Sequence, residues 1–174
     1  WSGSDWAQLG IDIDGEAAGD ASGYSVSLSS DGQRLAIGAR RNRGDTGHVR
    51  VYQWSGTAWE QLGTDIDGAE IEEWLWFGTS VSLSSDGSRL AVGAPEANAT
   101  DSGLTRIFQW SGTAWTQLGV DIVGESDDDY SGGSVSLSSD GNRLAIGARD
   151  NDGNGEKSGH VRIFQWSGTA WAQL

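Results

Sequence analysis

Four groups of side chains in this 174-residue sequence could do chemistry. The first is Asp150-Asn151-Asp152-Gly153-Asn154-Gly155-Glu156, which sets acidic or amide oxygens at alternate positions. Calcium takes roughly six to eight oxygen ligands, and such spacing can wrap one. Asp150, Asp152, Asn154 and Glu156 are therefore candidate calcium ligands, and calcium is the one cofactor the sequence suggests. The segment falls short of a full calcium-binding loop of about twelve residues. The equivalent loops at Arg40–Asp45 and Pro95–Asn98 do not repeat it, so a solvated turn is the competing reading.

The second group is His48 and His160, which occupy equivalent places where a third position carries Leu104. A catalytic group would not be duplicated and then replaced by leucine, so both are read as edge residues. No Ser/His/Asp set, phosphate loop or paired-carboxylate arrangement stands out, and no enzyme is expected. The third is Asn98-Ala99-Thr100, the sole Asn-x-Ser/Thr acceptor, which makes Asn98 the candidate glycosylation site. The fourth is tryptophan. Trp74 and Trp76 lie in Glu70-Ile71-Glu72-Glu73-Trp74-Leu75-Trp76-Phe77. Large rigid rings beside acids suit a partner surface, so Glu72, Glu73, Trp74 and Trp76 are candidate contacts. The alternative is that Trp76 or Phe77 fills an internal pocket. The other eight tryptophans form pairs, Trp1/Trp6, Trp54/Trp59, Trp110/Trp115 and Trp166/Trp171. They suit either structural packing or a row of identical ligand sites.

Composition narrows the classes. The formal charge is −14, from 25 acidic against 11 basic residues, which repels phosphate backbones and argues against nucleic acid. No apolar run approaches about 18 residues, so no membrane-spanning helix is expected. Absence of Cys excludes disulfides and thiolate chemistry. Ten Trp are too many for a disordered acidic chain.

The elements that must position these groups come as a repeat. Trp-Ser-Gly-x-x-Trp-x-Gln-Leu starts at Trp1, Trp54, Trp110 and Trp166. Ser-Val-Ser-Leu-Ser-Ser-Asp-Gly starts at Ser25, Ser80 and Ser134, and Arg-Leu-Ala-Ile/Val-Gly-Ala at Arg34, Arg89 and Arg143. Gly-x-x-Arg-Val/Ile-Tyr/Phe-Gln-Trp starts at Gly47, Gly103 and Gly159, so the period is 53 to 56 residues. Each segment alternates large and small or polar residues, as a strand does. Asp31-Gly32, Asp86-Gly87 and Asp140-Gly141 signal tight hairpins. The expected fold class is all-β: three four-stranded antiparallel β-propeller blades at 10–62, 63–118 and 119–174. Residues 1–9 are expected to be an extra outer strand.

Phe77-Gly78-Thr79-Ser80-Val81-Ser82-Leu83, followed by Leu90-Ala91-Val92-Gly93-Ala94-Pro95, resembles the FG-GAP repeat of integrin-type β-propellers. The whole unit also resembles tandem repeats of the DIDGEAAGD-SG-SVSLSSDG type in secreted and surface proteins of marine microbes and algae. The resemblance implies an extracellular propeller. Integrin-type blades hold calcium in a long acidic loop between the first two strands. Here that connection is only Ser-Asp-Gly-x, so that metal site is not carried over.

Length varies in two connections only. The Ala-to-Gly spacing before the third strand is 8, 9 and 11 (Ala39 to Gly47, Ala94 to Gly103, Ala148 to Gly159). The Trp-to-Ser spacing before the first strand is 19, 21 and 19 (Trp6 to Ser25, Trp59 to Ser80, Trp115 to Ser134). Both emerge at one end of an up-and-down blade, where recognition loops belong. Propellers need about four to eight blades, so three leave the ring open. The expected partners are another copy, by strand donation or polymerisation, or further blades of a longer chain. The sequence thus points to a non-enzymatic extracellular building block of a surface assembly, matrix or filament. The alternative is a lectin-like module that binds carbohydrate or protein.

Overall fold

A computed structural model describes residues 5–68 and 75–174. Unit 1 comprises β1 (Ser22–Leu28), β2 (Arg34–Ala39), β3 (His48–Trp54), β4 (Trp59–Gln61) and β5 (Ile66–Asp67). Unit 2 comprises β6 (Ser80–Leu83), β7 (Arg89–Ala94), β8 (Leu104–Trp110), β9 (Trp115–Gln117) and β10 (Ile122–Val123). Unit 3 comprises β11 (Ser131–Leu137), β12 (Arg143–Ala148), β13 (His160–Trp166) and β14 (Trp171–Gln173). Each unit is one antiparallel sheet whose first four strands pair in sequence order, while β5 and β10 return to pair with β3 and β8. Three such sheets, packed face to face, are β-propeller blades. The single helical turn among the described residues, α1 (Asn42–Asp45), is interrupted by Arg43 and Gly44 in the left-handed region.

The outer strand of units 1 and 2 is longer than its sequence motif. β4 pairs with the end of β3 and β5 with its start, through Trp54↔Trp59 and Val49↔Ile66. Between them Gly63 turns the chain with φ 86°, as Gly119 does in unit 2 with φ 87°. The sheet of unit 1 therefore runs past residue 62 to Asp67, and that of unit 2 past 118 to Val123. Asp5–Leu9, read from sequence as part of an extra strand, forms no strand. Its counterparts β4, β9 and β14 each pair with the third strand of their unit. Trp1–Ser4 lie outside the described residues.

The junction between blades is built from the constant motifs. The second tryptophan of each pair donates its indole N–H back to a leucine carbonyl one unit earlier. Trp59 reaches Leu9, Trp115 reaches Leu62 and Trp171 reaches Leu118, each at 3.0 Å. The first tryptophan lies against the second at 5.4 Å in all three pairs. Both rings cover the turning glycine, and a Cβ on Gly63 would come within 2.9 Å of Trp110. Nearer the axis, Ser25 and Ser80 hydroxyls donate to the Gly78 and Gly132 carbonyls at 2.7 Å. Leu83 and Leu137 amides donate to Ser27 and Ser82 hydroxyls at 3.0 Å. Gly38 and Gly93 let those carbonyls approach; a Cβ at either would overlap the Gly78 or Gly132 oxygen. The small face of the second strand is thus the docking face.

Apolar faces fill the space between. Ala36, Val49, Val51 and Ile66 of unit 1 pack with Val81, Leu83, Leu90 and Phe108 of unit 2. Ala91, Ile107 and Ile122 of unit 2 pack with Leu144, Ile146 and Phe164 of unit 3. Two faces remain open. On unit 1, Val26 and Leu28 are 62% and 58% exposed, where Val81 and Leu83 are 9% and 7%. On unit 3, Val161 and Ile163 are exposed, where Val49 and Val51 are buried.

Gly93→Ala should cost well over about 1 kcal/mol, because backbone rather than a side chain opposes the new methyl. Gly147→Ala meets the Ser134 hydroxyl closely and backbone only at ordinary contact distance, and should cost much less. Urea unfolding of the two variants gives the comparison.

Candidate functional site: the loop end of the blades

The two connections of variable length meet across each blade junction. Trp76 and Phe77 amides donate to the Asp45 and Thr46 carbonyls at 3.0 and 3.1 Å. Asp128, Tyr130 and Ser131 amides donate to Thr100, Asp101 and Ser102 at 2.8, 3.1 and 3.1 Å. Below them, each unit ties its own two loops together. Buried Asn42 donates to buried Asp20 at 3.0 Å, and buried Asn151 to buried Asp129 at 3.0 Å. Each aspartate also accepts an amide of its own loop, from Ala17 or Ser126. Unit 2 carries Leu75 and Ala97 at the same two places, both fully buried. A polar pair has been exchanged as a unit for an apolar one.

In the candidate calcium loop the two aspartates have partners within the protein. Asp152 accepts the Lys157 amide at 2.6 Å, and Asp150 faces the Lys157 ammonium at 3.4 Å and Arg149 at 3.6 Å. Asn151 is turned inward to Asp129. Asp150, Asp152 and Glu156 do not bring three carboxylate oxygens within 4.8 Å of one another, and the Asn154 backbone N–H donates to the Ser158 hydroxyl at 3.3 Å. Lys157 supplies positive charge beside Asp150, and the segment is held as a hydrogen-bonded turn by the Lys157 and Gly153 amides.

Asn98 lies on this end, half-buried, with φ 73° and its side-chain amide donating to Ser102 at 3.0 Å. Thr100 beside it is exposed. Trp76 stacks on Arg40, with the guanidinium 4.1 Å from its ring centre and 3.8 Å from that of Tyr24 on the other side. Glu72, Glu73 and Trp74 lie outside the described residues. Trp54, Trp59, Trp110, Trp115, Trp166 and Trp171 occupy the blade junctions, at the outer strands.

His48 is not an edge residue. It is 1% exposed, because the front segment of unit 1 and the chain leaving that unit close over it. The front segment brings Glu16, and the departing chain brings Asp65. Each places a carboxylate oxygen 3.7 Å from His48 Nδ1, and that nitrogen has no hydrogen-bond partner. Arg50 is buried alongside, donating to the Asp14 carbonyl at 2.8 Å with its other arm 3.9 Å from Glu16. Unit 3 repeats half of this arrangement, with His160 Nδ1 3.9 Å from Glu125. Sequence reading missed this cluster. Its signal was the joint presence of Glu and His in units 1 and 3, against Ala69 and Leu104 in unit 2.

The opposite end of the blades is constant. Hydrogen bonds from the Ser138 hydroxyl and from the Asn142 backbone and side chain bring Asp140 down to about 2. The Ser29 hydroxyl and Gln33 amide lower Asp31 likewise. Burial raises Asp86, but bonds from Ser84 and Ser88 outweigh it and lower it overall.

No family model matches the chain, and no curated protein matches it. Solved structures do. A Bacteroides fragilis protein assigned provisionally as a 6-phosphogluconolactonase aligns with TM-score 0.60 at 14% identity, over 86% of this chain and 36% of that one. KlAtg21, solved in complex with the coiled coil of AgAtg16, aligns with TM-score 0.58 at 14% identity, over 84% and 40%. Saccharomyces cerevisiae Sqt1 gives 0.57 and 15%, over 89% and 35%. These neighbours have propeller-like folds. The chain therefore shares their blade architecture. It spans about two fifths of their length or less.

Two outcomes follow from the polar contacts. Leu75→Asp alone should destabilise by about 3 kcal/mol or more, because it buries a carboxylate without a partner. Adding Ala97→Asn should recover part of that loss, and a double-mutant cycle in urea measures the coupling. The three hairpin aspartates have pKa values below the usual 3.8. Each favours the fold above its unfolded pKa, and that contribution fades as pH falls from about 4 toward 2. Replacing all three with Ala should flatten stability against pH in that window.

Proposed function

We propose that this chain is a non-enzymatic structural module whose open blade faces dock onto one another, head to tail. We place it in the extracellular setting implied by its FG-GAP-like repeat. One observation carries the reading. Unit 3 bears an open cavity of about 550 Å³ lined by Ser134, Gly147, Ala148, Gly159 and Val161, among others. In unit 1 the equivalent Gly38 and Gly47 close on the backbone of Phe77 and Gly78. In unit 2, Gly93 and Gly103 close on Ser131 and Gly132. The cavity is thus a socket of the kind filled twice elsewhere in the same chain.

The segment that fits it is also present. Gly23 has φ 84°, where Gly78 and Gly132 have 89° and 91°. The exposed Val26 and Leu28 match the residues that follow those glycines in units 2 and 3. Unit 1 therefore carries the plug and unit 3 the socket. A head-to-tail contact of this type generates rings when it closes and filaments when it does not. With a charge of −14, copies repel one another at low salt, and docking must overcome that repulsion through apolar contact.

Light scattering and electron microscopy test the reading. The expected result is a mass that rises with protein concentration and with salt, in particles of stacked blades. Ile163→Asp, at an exposed site of unit 3, should hold the chain monomeric without lowering its melting temperature. A monomeric wild type at high concentration and salt would overturn the proposal.

A further inference from the structure

We propose that Glu16, His48 and Asp65 form a binding site for a divalent transition-metal ion of the zinc type. The His48 side chain is 2% exposed, and its Nδ1 lacks a hydrogen-bond partner. Burying a polar atom in that way is unfavourable unless something satisfies it. None of the described residues does, yet the nitrogen lies near two carboxylate oxygens. Glu16 Oε2 and Asp65 Oδ2 are each 3.7 Å away, too far for a hydrogen bond. Two ligands on a tetrahedral ion, with bonds of about 2.1 Å, lie about 3.4 Å apart. One ligand atom from each of the three residues already lies within 4.8 Å of the others. A small inward movement of two carboxylates completes three positions and leaves a fourth for water.

The surroundings hold the site in this form. Gln61 donates to Asp65 Oδ1 at 2.7 Å, which leaves Oδ2 for the imidazole side. Arg50 lies 3.9 Å from Glu16 Oε1, on the far side of that carboxylate from His48. Asn42 reaches Glu16 Oε2 at 3.4 Å, a long contact that an ion would displace. Arg50 offsets one of the two carboxylate charges, so the site attracts a divalent cation without a large excess of negative charge. Glu16 is 46% and Asp65 28% exposed, which gives an ion its entry. One imidazole nitrogen with two carboxylate oxygens suits zinc, whereas calcium and magnesium favour oxygen alone.

The other units add an internal comparison. Unit 3 keeps both the glutamate and the histidine, as Glu125 and His160. Unit 2 has lost both together, with Ala69 and Leu104 in their places. The two residues travel as a pair, as joint ligands would. Because Glu16 lies in the front segment of unit 1 and Asp65 leads into unit 2, a bound ion would clip the start of a blade to its exit. This inference does not depend on how the blades assemble.

The test is calorimetric titration of the chelator-treated 174-residue chain with Zn2+ at neutral pH, then with Ca2+. The expected result is saturable zinc binding near one ion per chain, weak calcium binding, and a higher melting temperature with zinc. Co2+ substituted at the site should give the visible absorption bands of a low-coordinate ion. His48→Leu places the residue that unit 2 carries, and Glu16→Gln alters a half-exposed side chain. Each should weaken zinc binding beyond the roughly 10- to 100-fold that loss of a supporting hydrogen bond causes. The melting temperature of the metal-free chain should hold for Glu16→Gln. No saturable zinc binding, or affinity unchanged in both variants, would overturn the site.

Discussion

The structure depends on backbone-to-backbone contact at glycine across each blade junction. Gly38 and Gly93 leave no space for a Cβ against the next unit's carbonyl. That approach lets Ser25 and Ser80 reach the same carbonyl. It brings the apolar faces together at the inner strands. The tryptophan pair performs the same task at the outer strand, where Trp115 and Trp171 reach back to Leu62 and Leu118 over Gly63 and Gly119. Blade order, spacing and tilt follow from repeating these contacts.

A junction made of repeated parts has a direct consequence. Any face that bears one half of it is adhesive toward any face that bears the other. Units 1 and 3 expose complementary halves, rich in Val and Leu on one side and glycine-lined on the other. The proposed assembly therefore needs no surface beyond the one that folds the chain.

Most of the fold was legible because local signals agree with the global arrangement. Asp-Gly at 31–32, 86–87 and 140–141 marks the hairpins, and the alternation in Leu35–Ala39 marks the face that docks. The outer strand was read too short, since β5 and β10 are two-residue pairings beyond a glycine turn that sequence shows only as a loop. For the acidic loop at Asp150–Glu156, spacing shows oxygens but not which neighbours use them, and Lys157 engages two of them. His48 was misread as an edge residue. Its burial comes from Glu16 and Asp65, two distant segments that only blade closure brings over it. Aligning the three units against one another would have exposed that pairing, as it would the exchange of Asp20–Asn42 for Leu75–Ala97.

The central claim is that the open face of unit 1 is a junction half awaiting its partner. The Leu28 amide reports on it most directly, because the equivalent Leu83 and Leu137 amides donate across filled junctions to Ser27 and Ser82. Residue-resolved hydrogen exchange across a range of protein concentrations measures it. The account predicts that Leu28 exchanges fast in dilute chain and slows toward the rates of Leu83 and Leu137 as concentration rises. A Leu28 amide that stays fast at every concentration would contradict it.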